Sequence, residues 1–313
     1  MRNYLSIDIG GTAIKYGLLD HSGNISEKDT VDTPQNLEEF KQTVKNIISR
    51  YKGRVYGIAF SVPGKVDSKR GIVYFGGALP FLNEFNFEKF VREEFGAIPV
   101  GVENDGKSAA LAEMWLGNLR DVDNGAAIIL GTGVGGGIII NGDLLPGSHF
   151  QAGELSFMIG NFNNVDYKEF VGTSLSAVKM IEKIALKEKL ENKKDGRAAF
   201  ALINKGNAEA IEIFREYCKK IALLIINIQT VVDVTDFVIG GGISGQPVLI
   251  KTINEEYDKV LNKLTLLKDT LTRPRIKKAK FENSANLYGA LYGLLQKIDN
   301  RSGYLTKNMV NDK

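Results

Sequence analysis

Apolar positions come in short runs at the start of the chain and at helical spacing further on. Residues 4–9 (YLSIDI) form an apolar run that ends in a glycine turn, and residues 13–19 (AIKYGLL) resume an extended pattern. The pair predicts a β-hairpin, with a second turn at residues 20–24 (DHSGN) leading to another strand. Leu37, Phe40, Val44, Ile47 and Ile48 share one face of a predicted helix over residues 36–50. Residues 55–60 (VYGIAF) read as a buried strand that runs into Ser61-Val62-Pro63-Gly64. A helix over 87–95, a strand at 99–102 ending in polar residues and a helix over 108–116 follow.

The opening arrangement then returns. Residues 126–130 (AAIIL) read as a strand, 131–137 (GTGVGGG) as a glycine turn and 138–140 as a strand before a turn at Asn141-Gly142. Strand, glycine turn, strand and turn thus occur twice, about 120 residues apart. The repeat predicts two lobes with a glycine turn in each. Residues 117–124 (GNLRDVDN) are polar and aperiodic, which puts an N-terminal α/β lobe at 1–117 and a larger C-terminal one at 118–313. In the second half helices are expected over 174–189, 208–230 and 254–267. A strand at 237–239 meets Gly240-Gly241-Gly242, a last helix covers 285–297, and residues 299–313 read as a loose polar tail.

Composition narrows the class. The chain has 313 residues, 43% hydrophobic and 25% charged, which is ordinary for a soluble enzyme of two domains. A formal charge of +3 argues neither for nor against a polyanionic partner. The basic stretch 273–280 (RPRIKKAK) interleaves apolar residues and reads as an edge or surface strand rather than a nucleic-acid patch. Cys218 is the only cysteine, so an intramolecular disulfide and a cysteine-rich zinc site are both excluded; within a helical stretch it reads as a packed residue. No run of about eighteen apolar residues is present, and a core-like strand begins at residue 4, so the expectation is a cytoplasmic protein without membrane or signal segments.

Four stretches carry candidate chemistry. In Asp8-Ile9-Gly10-Gly11-Thr12 a carboxylate ends a strand just before amides that glycine leaves open to a phosphate, with Thr12 as a hydroxyl donor. Asp8 can hold magnesium through water, whereas the plain alternative is a hairpin turn that needs glycine. Five glycines in residues 131–137 exceed what a hairpin requires, and amides cradling phosphates account for the excess. No Gly-Lys-Ser/Thr follows, and a strand rather than a helix comes next, so neither a Walker A loop nor a dinucleotide fingerprint fits. Asp105, in Glu103-Asn104-Asp105-Gly106, is either a helix cap or a base for an attacking hydroxyl. Glu154, in Gly153-Glu154-Leu155-Ser156, either complements a helix dipole or accepts hydrogen bonds from a sugar. The histidines His21 and His149 lie in polar turns and read as surface residues, His149 close enough in sequence to Glu154 to line a pocket.

These motifs, together with Ser61 to Asp67 (SVPGKVD) and Gly240-Gly241-Gly242, resemble in their order the ROK family (repressors, open reading frames, kinases) of the actin-like, hexokinase-like ATPase superfamily. The match runs from residue 8 to residue 242. The resemblance implies an α/β fold of two ribonuclease-H-like domains around a cleft, with the last helix returning to the first lobe. It implies an ATP-dependent kinase that phosphorylates the 6-hydroxyl of a hexose or β-glucoside, with ATP and Mg2+ as cofactors and Asp105 as the catalytic base. Asn104, Glu154, Gly64 and Phe157 match the substrate side. Asp8, Gly10, Gly11, Thr12 and Lys15, with Gly131, Thr132, Gly133 and Gly135, match the phosphate side, and Gly241 and Gly242 the adenosine side. A homodimer is also implied.

Three departures from the family pattern qualify this. Family repressors carry a DNA-binding domain ahead of the first lobe, and only seven residues precede Asp8, so no nucleic-acid partner is expected. Many members have Glu-Ile-Gly-His and a cysteine-rich zinc loop; here the residues are Glu154-Leu155-Ser156-Phe157, so no structural zinc and no family histidine are expected. No sugar-contacting asparagine matches in residues 76–82. Phe157 in place of a histidine near the anomeric side either admits a substituent there, as in a β-glucoside kinase, or fills space left by the missing zinc loop. A glucose or N-acetylhexosamine kinase is the alternative within the class, and a non-catalytic sugar sensor the alternative outside it.

Overall fold

A computed structural model describes residues 2–161, 163–164 and 166–311, with residues 301–311 described by backbone alone. The chain forms two compact units. One comprises Met1–Trp115, Pro146–Ala152 and Ser284–Lys313, the other Leu116–Leu145 and Gly153–Asn283.

The first unit is built on β1 (Asn3–Ile9), β2 (Ala13–Asp20), β3 (Ile25–Asp32), β4 (Gly57–Val62) and, after β5 (Lys65–Asp67), β6 (Ile72–Phe75) and β7 (Phe85–Asn86), β8 (Val100–Asn104). Its main sheet has the order β3-β2-β1-β4-β8, with β1, β2 and β3 antiparallel and β1, β4 and β8 parallel. Residue order explains the placement. The apolar runs of β1 and β4 are buried along almost their whole length and occupy the centre. The charged ISEKDTVD of β3 lies exposed on the edge, where charge discourages pairing with another chain. Strands β5, β6 and β7 make a separate antiparallel sheet.

Helix α1 (Leu37–Arg50) buries Phe40, Val44, Ile47 and Ile48, the face expected from their spacing, and Asn36 caps it by accepting the Glu39 amide. Helix α2 (Phe87–Phe95) is capped likewise by Asn86 and ends at Gly96. Helix α3 (Asp105–Leu116) starts directly at the end of β8.

The second unit repeats the plan. Strands β9 (Gly125–Leu130), β10 (Val134–Ile140), β11 (Asp143–Leu144), β12 (Asp236–Gly240) and β13 (Arg275–Lys278) take the order β11-β10-β9-β12-β13. The directions repeat as well, antiparallel through β9, β10 and β11 and parallel through β9, β12 and β13. Around this sheet run α4 (Val171–Ser174), α5 (Ala177–Lys187), α6 (Gly196–Asn204), α7 (Ala208–Val232), α8 (Pro247–Lys263) and α9 (Thr265–Thr270). The helix expected over 174–189 is interrupted after Ser174, and the one expected over 254–267 begins earlier, at Pro247. Cys218 is buried in this core, where desolvation raises its thiol pKa, which agrees with a packed residue.

The basic stretch RPRIKKAK supplies edge strand β13. Arg275 grips the fully buried Asp236 carboxylate through two hydrogen bonds of 2.9 and 2.6 Å, and Lys277 adds a contact at 2.7 Å. Burial works against the charge on Asp236, but these partners prevail and hold its pKa below the usual carboxylate range.

Helix α10 (Ala285–Asn311) packs on β1, β4 and β8 of the first unit. Leu287, Leu291 and Leu294 are buried, and Ser6 ties its hydroxyl to the Leu287 carbonyl at 2.7 Å. The backbone is helical through Asn311, where the sequence suggested a loose tail from 299; residues 312–313 lie outside the described residues. The segment Pro146–Ala152 belongs to the first unit, although its position in sequence put it in the second lobe. Among the described residues no helix is long and apolar enough to cross a membrane.

Candidate active site

Strand register assembles the first constellation. Asp8 stands one residue before the end of β1, opposite Lys15 of β2 on one side and Ser61 of β4 on the other. Ser61 Oγ donates to Asp8 Oδ1 at 3.1 Å, and Asn286 Nδ2, from the first turn of α10, donates to the same oxygen at 2.9 Å. Lys15 Nζ lies 3.7 Å from Oδ2. The carboxylate is only 6% exposed and has its charge balanced from neighbouring strands. Beyond it Gly10 donates its amide to the Ala13 carbonyl at 3.0 Å, which closes the turn and leaves Gly11 and Thr12 exposed.

The second constellation lies where β8 becomes α3. Asn104 Oδ1 accepts the Lys107 amide at 3.1 Å, so Asn104 performs the capping that the sequence left open to Asp105. Asn104 Nδ2 donates to the Gly64 carbonyl at 2.9 Å. Gly64 has φ +91°, and a Cβ there would lie 1.6 Å from the Phe75 carbonyl oxygen, so the turn after Pro63 requires glycine. Asp105 accepts the Gly106 amide at 2.8 Å. Desolvation pushes its pKa up to about 6, and the Asp8 charge adds to the rise. A carboxyl that ionises near neutrality is matched to taking a proton from a hydroxyl.

Lys107, two residues further on, is 2% exposed, and its ammonium donates to the Phe150 carbonyl at 2.5 Å. It thereby fastens segment Pro146–Ala152 to the first turn of α3. His149, in that segment, is exposed.

In the second unit the turn Gly131-Thr132-Gly133 closes through a bond from the Gly131 amide to the Gly133 carbonyl at 3.0 Å, with Thr132 exposed. It occupies the place in β9–β10 that the Gly10 to Thr12 turn occupies in β1–β2, but Ile129 stands where the first unit has Asp8. Gly135 lies within β10 rather than in the turn, as do Gly136 and Gly137. Packing accounts for one of them, because a Cβ on Gly136 would come within 2.6 Å of Leu155. Part of the glycine excess therefore lies within β10, outside the turn.

Ser156 braces that turn by accepting the Val134 amide at 3.1 Å and donating to the Val134 carbonyl at 3.0 Å. Glu154 is half-buried and does not cap the short helical turn it precedes. Phe157 is 58% exposed, so it does not fill a core gap left by an absent zinc loop. After β12, Gly241 has φ +95°, and a Cβ would meet the Leu130 carbonyl oxygen at 2.1 Å. That close approach joins the turn at Gly240 to Gly242 to the end of β9. Among the described residues no three His, Cys, Asp or Glu side chains gather as a metal site.

Two mixed sheets of identical order, each with a glycine turn at the same hairpin, define an α/β protein of internally repeated plan. The chain belongs to the ROK family, whose model matches residues 4–297. It is similar to a beta-glucoside kinase of Listeria monocytogenes, 33% identical over 300 residues that cover 93% of this chain and 97% of that protein. A glucokinase of Halalkalibacterium halodurans is 28% identical over 287 residues, 82% of this chain and 86% of that one. Among solved structures, a ROK family protein from Streptococcus pneumoniae in complex with sucrose superposes with a TM-score of 0.83 at 28% identity, covering 95% of this chain and 99% of that one.

Proposed function

We propose that this ROK family chain, an ATP-dependent sugar kinase, phosphorylates the 6-hydroxyl of a hexose, with a β-glucoside as the preferred acceptor. The observation that carries the reading is Asp105: a carboxyl at the head of α3, relieved of capping by Asn104 and ionising near 6. As carboxylate it takes the proton of the 6-hydroxyl while that oxygen bonds to the γ-phosphorus and the bond to ADP breaks. Asn104, fixed between Gly64 and the Lys107 amide, and Glu154 orient the sugar hydroxyls. The amides of the turns at Gly10 to Thr12 and Gly131 to Gly133, with Lys15, meet the phosphates, and Gly241 and Gly242 meet the adenosine.

Magnesium fits Asp8. One carboxylate oxygen is engaged by Ser61 and Asn286, while the other has Lys15 at 3.7 Å among the described residues and is available to a metal-bound water. When bound, the ion neutralises charge on the phosphates. The shared strand order supports reading each unit as a ribonuclease-H-like lobe of the actin-like ATPase fold. A homodimer working in the cytoplasm completes the proposal.

The β-glucoside preference rests on exposed Phe157, which offers an apolar face to an anomeric substituent, and on the similarity to the beta-glucoside kinase. A kinase of free glucose is the second reading, favoured by the similarity to a glucokinase. Phosphorus NMR of the product made from ATP and cellobiose tests the position of attack. Phosphate on the 6-oxygen of the non-reducing ring is expected, and phosphate on any other oxygen removes the proposed geometry.

A further inference from the structure

We propose that the second unit carries a pocket for a small phosphate ester beside the Gly131 turn, whose Gly131 carbonyl accepts the Ala177 amide at the start of α5 at 2.9 Å. Between α5, α7 and the helical turn Tyr167–Glu169 lies a cavity of about 410 Å3, large enough for a small metabolite. Lys168, Lys179, Lys183 and Lys220 line it, against only two carboxylates, Glu169 and Glu216. Lys220 pairs with Glu216 at 2.9 Å, and these contacts, with Lys183 adding at longer range, hold Glu216 below the usual carboxylate range. Lys168, Lys179 and Lys183 make no ion pair with any described residue.

Lys168, Lys179 and Lys183 are exposed, so the repulsion among them is modest, and an anion would relieve it. Lys179 and Lys183 are spaced i, i+4 on α5, where like charges face each other and destabilise a helix. Lys179 also sits in the first turn, where the helix dipole favours a negative group and α5 has no acidic residue. Lysines gathered around one concavity concentrate a positive potential there. A bound dianion relieves all three effects at once. Thr173, Ser174 and Ser176 add hydroxyls to the wall, suited to the hydroxylated body of an ester. Tyr217 forms another part of the wall, and its buried hydroxyl has no hydrogen-bond partner among the described residues. A phosphate monoester with a polar body matches this wall better than an apolar acid.

Calorimetric titration of the full chain with glucose 6-phosphate, AMP and inorganic phosphate tests it, in wild type, the Lys179→Ala/Lys183→Ala double variant and Asp105→Asn. Saturable binding of at least one ester is expected, weakened about tenfold or more in the lysine variant and unchanged in Asp105→Asn. The two esters separate a sugar phosphate from a nucleotide as the source of the group. Equal binding in wild type and lysine variant, loss in Asp105→Asn alone, or no saturation by either ester overturns the proposal. Tighter binding of inorganic phosphate than of both esters overturns the choice of an ester.

Discussion

Asn286 and Asp8, 278 residues apart in sequence, are joined by a 2.9 Å hydrogen bond from the amide of one to the carboxylate of the other. The first turn of α10 thus fixes the orientation of the carboxylate that the first hairpin presents. Because Asp8 Oδ1 is occupied by Asn286 and Ser61, Oδ2 would be the oxygen that serves the metal-bound water proposed above. Replacing Asn286 with Ala should lower kcat about tenfold and raise the magnesium requirement, with the KM for sugar little changed. Steady-state kinetics across magnesium concentrations check this; wild-type kinetics in the variant would show that Asp8 needs no such anchor.

Asp105 makes a pH prediction with a definite sign. Activity should rise with pH through about 6 as the carboxyl ionises, and level off above it. Stability runs the other way. The folded group ionises near 6 and the free one near 3.8, so the folded state holds the extra proton between these values. Its contribution is fully present below about 3.8 and is lost as pH rises through 6. Asp105→Asn should therefore unfold at higher denaturant than wild type at pH 7.5, by on the order of 1–3 kcal/mol, with the gap closing toward pH 4. An equal difference at both pH values would mean that the carboxyl is not desolvated.

Gly64→Ala should cost at least about 3 kcal/mol or prevent folding, because both the positive φ and the Phe75 carbonyl oxygen exclude a side chain. Gly53→Ala is the matching control: its φ is +76° but nothing lies within 4 Å, so it should cost only about 1 kcal/mol. Chemical denaturation of the two variants distinguishes a packing requirement from a purely conformational one.

Phe157→His should reduce kcat/KM for an aryl β-glucoside by about tenfold relative to glucose, the size expected for losing one apolar contact. An unchanged ratio would show that Phe157, exposed as it is, does not contact the anomeric side.

What the sequence disclosed depended on whether the signal was local. The hairpin at Asp8, its counterpart at Gly131 and the polar end of β8 at Asn104-Asp105 could be read from short runs of pattern, since each is a strand meeting a turn. Which residue caps α3 could not, because Asn104 and Asp105 are both good caps and only the backbone path selects between them. Ser61 was visible as part of the Pro-Gly motif but acquired a role only through the β1–β4 register. Asn286 and Lys107 carried no local signal at all. Their partners, Asp8 and the Phe150 carbonyl, lie in distant segments brought alongside by the packing of α10 and of Pro146–Ala152 on the first unit. The glycine-rich stretch misled in the opposite sense, since Gly136 answers to Leu155 rather than to a ligand.

The most direct test of the central claim is ATP turnover with magnesium in the presence of cellobiose, an aryl β-glucoside, glucose and N-acetylmannosamine, with Asp105→Asn measured alongside. The account predicts turnover above the sugar-free rate, fastest with a β-glucoside, and a fall of about 10²- to 10⁴-fold in kcat for the Asn variant. Binding of a sugar without turnover, or full activity in Asp105→Asn, would contradict it.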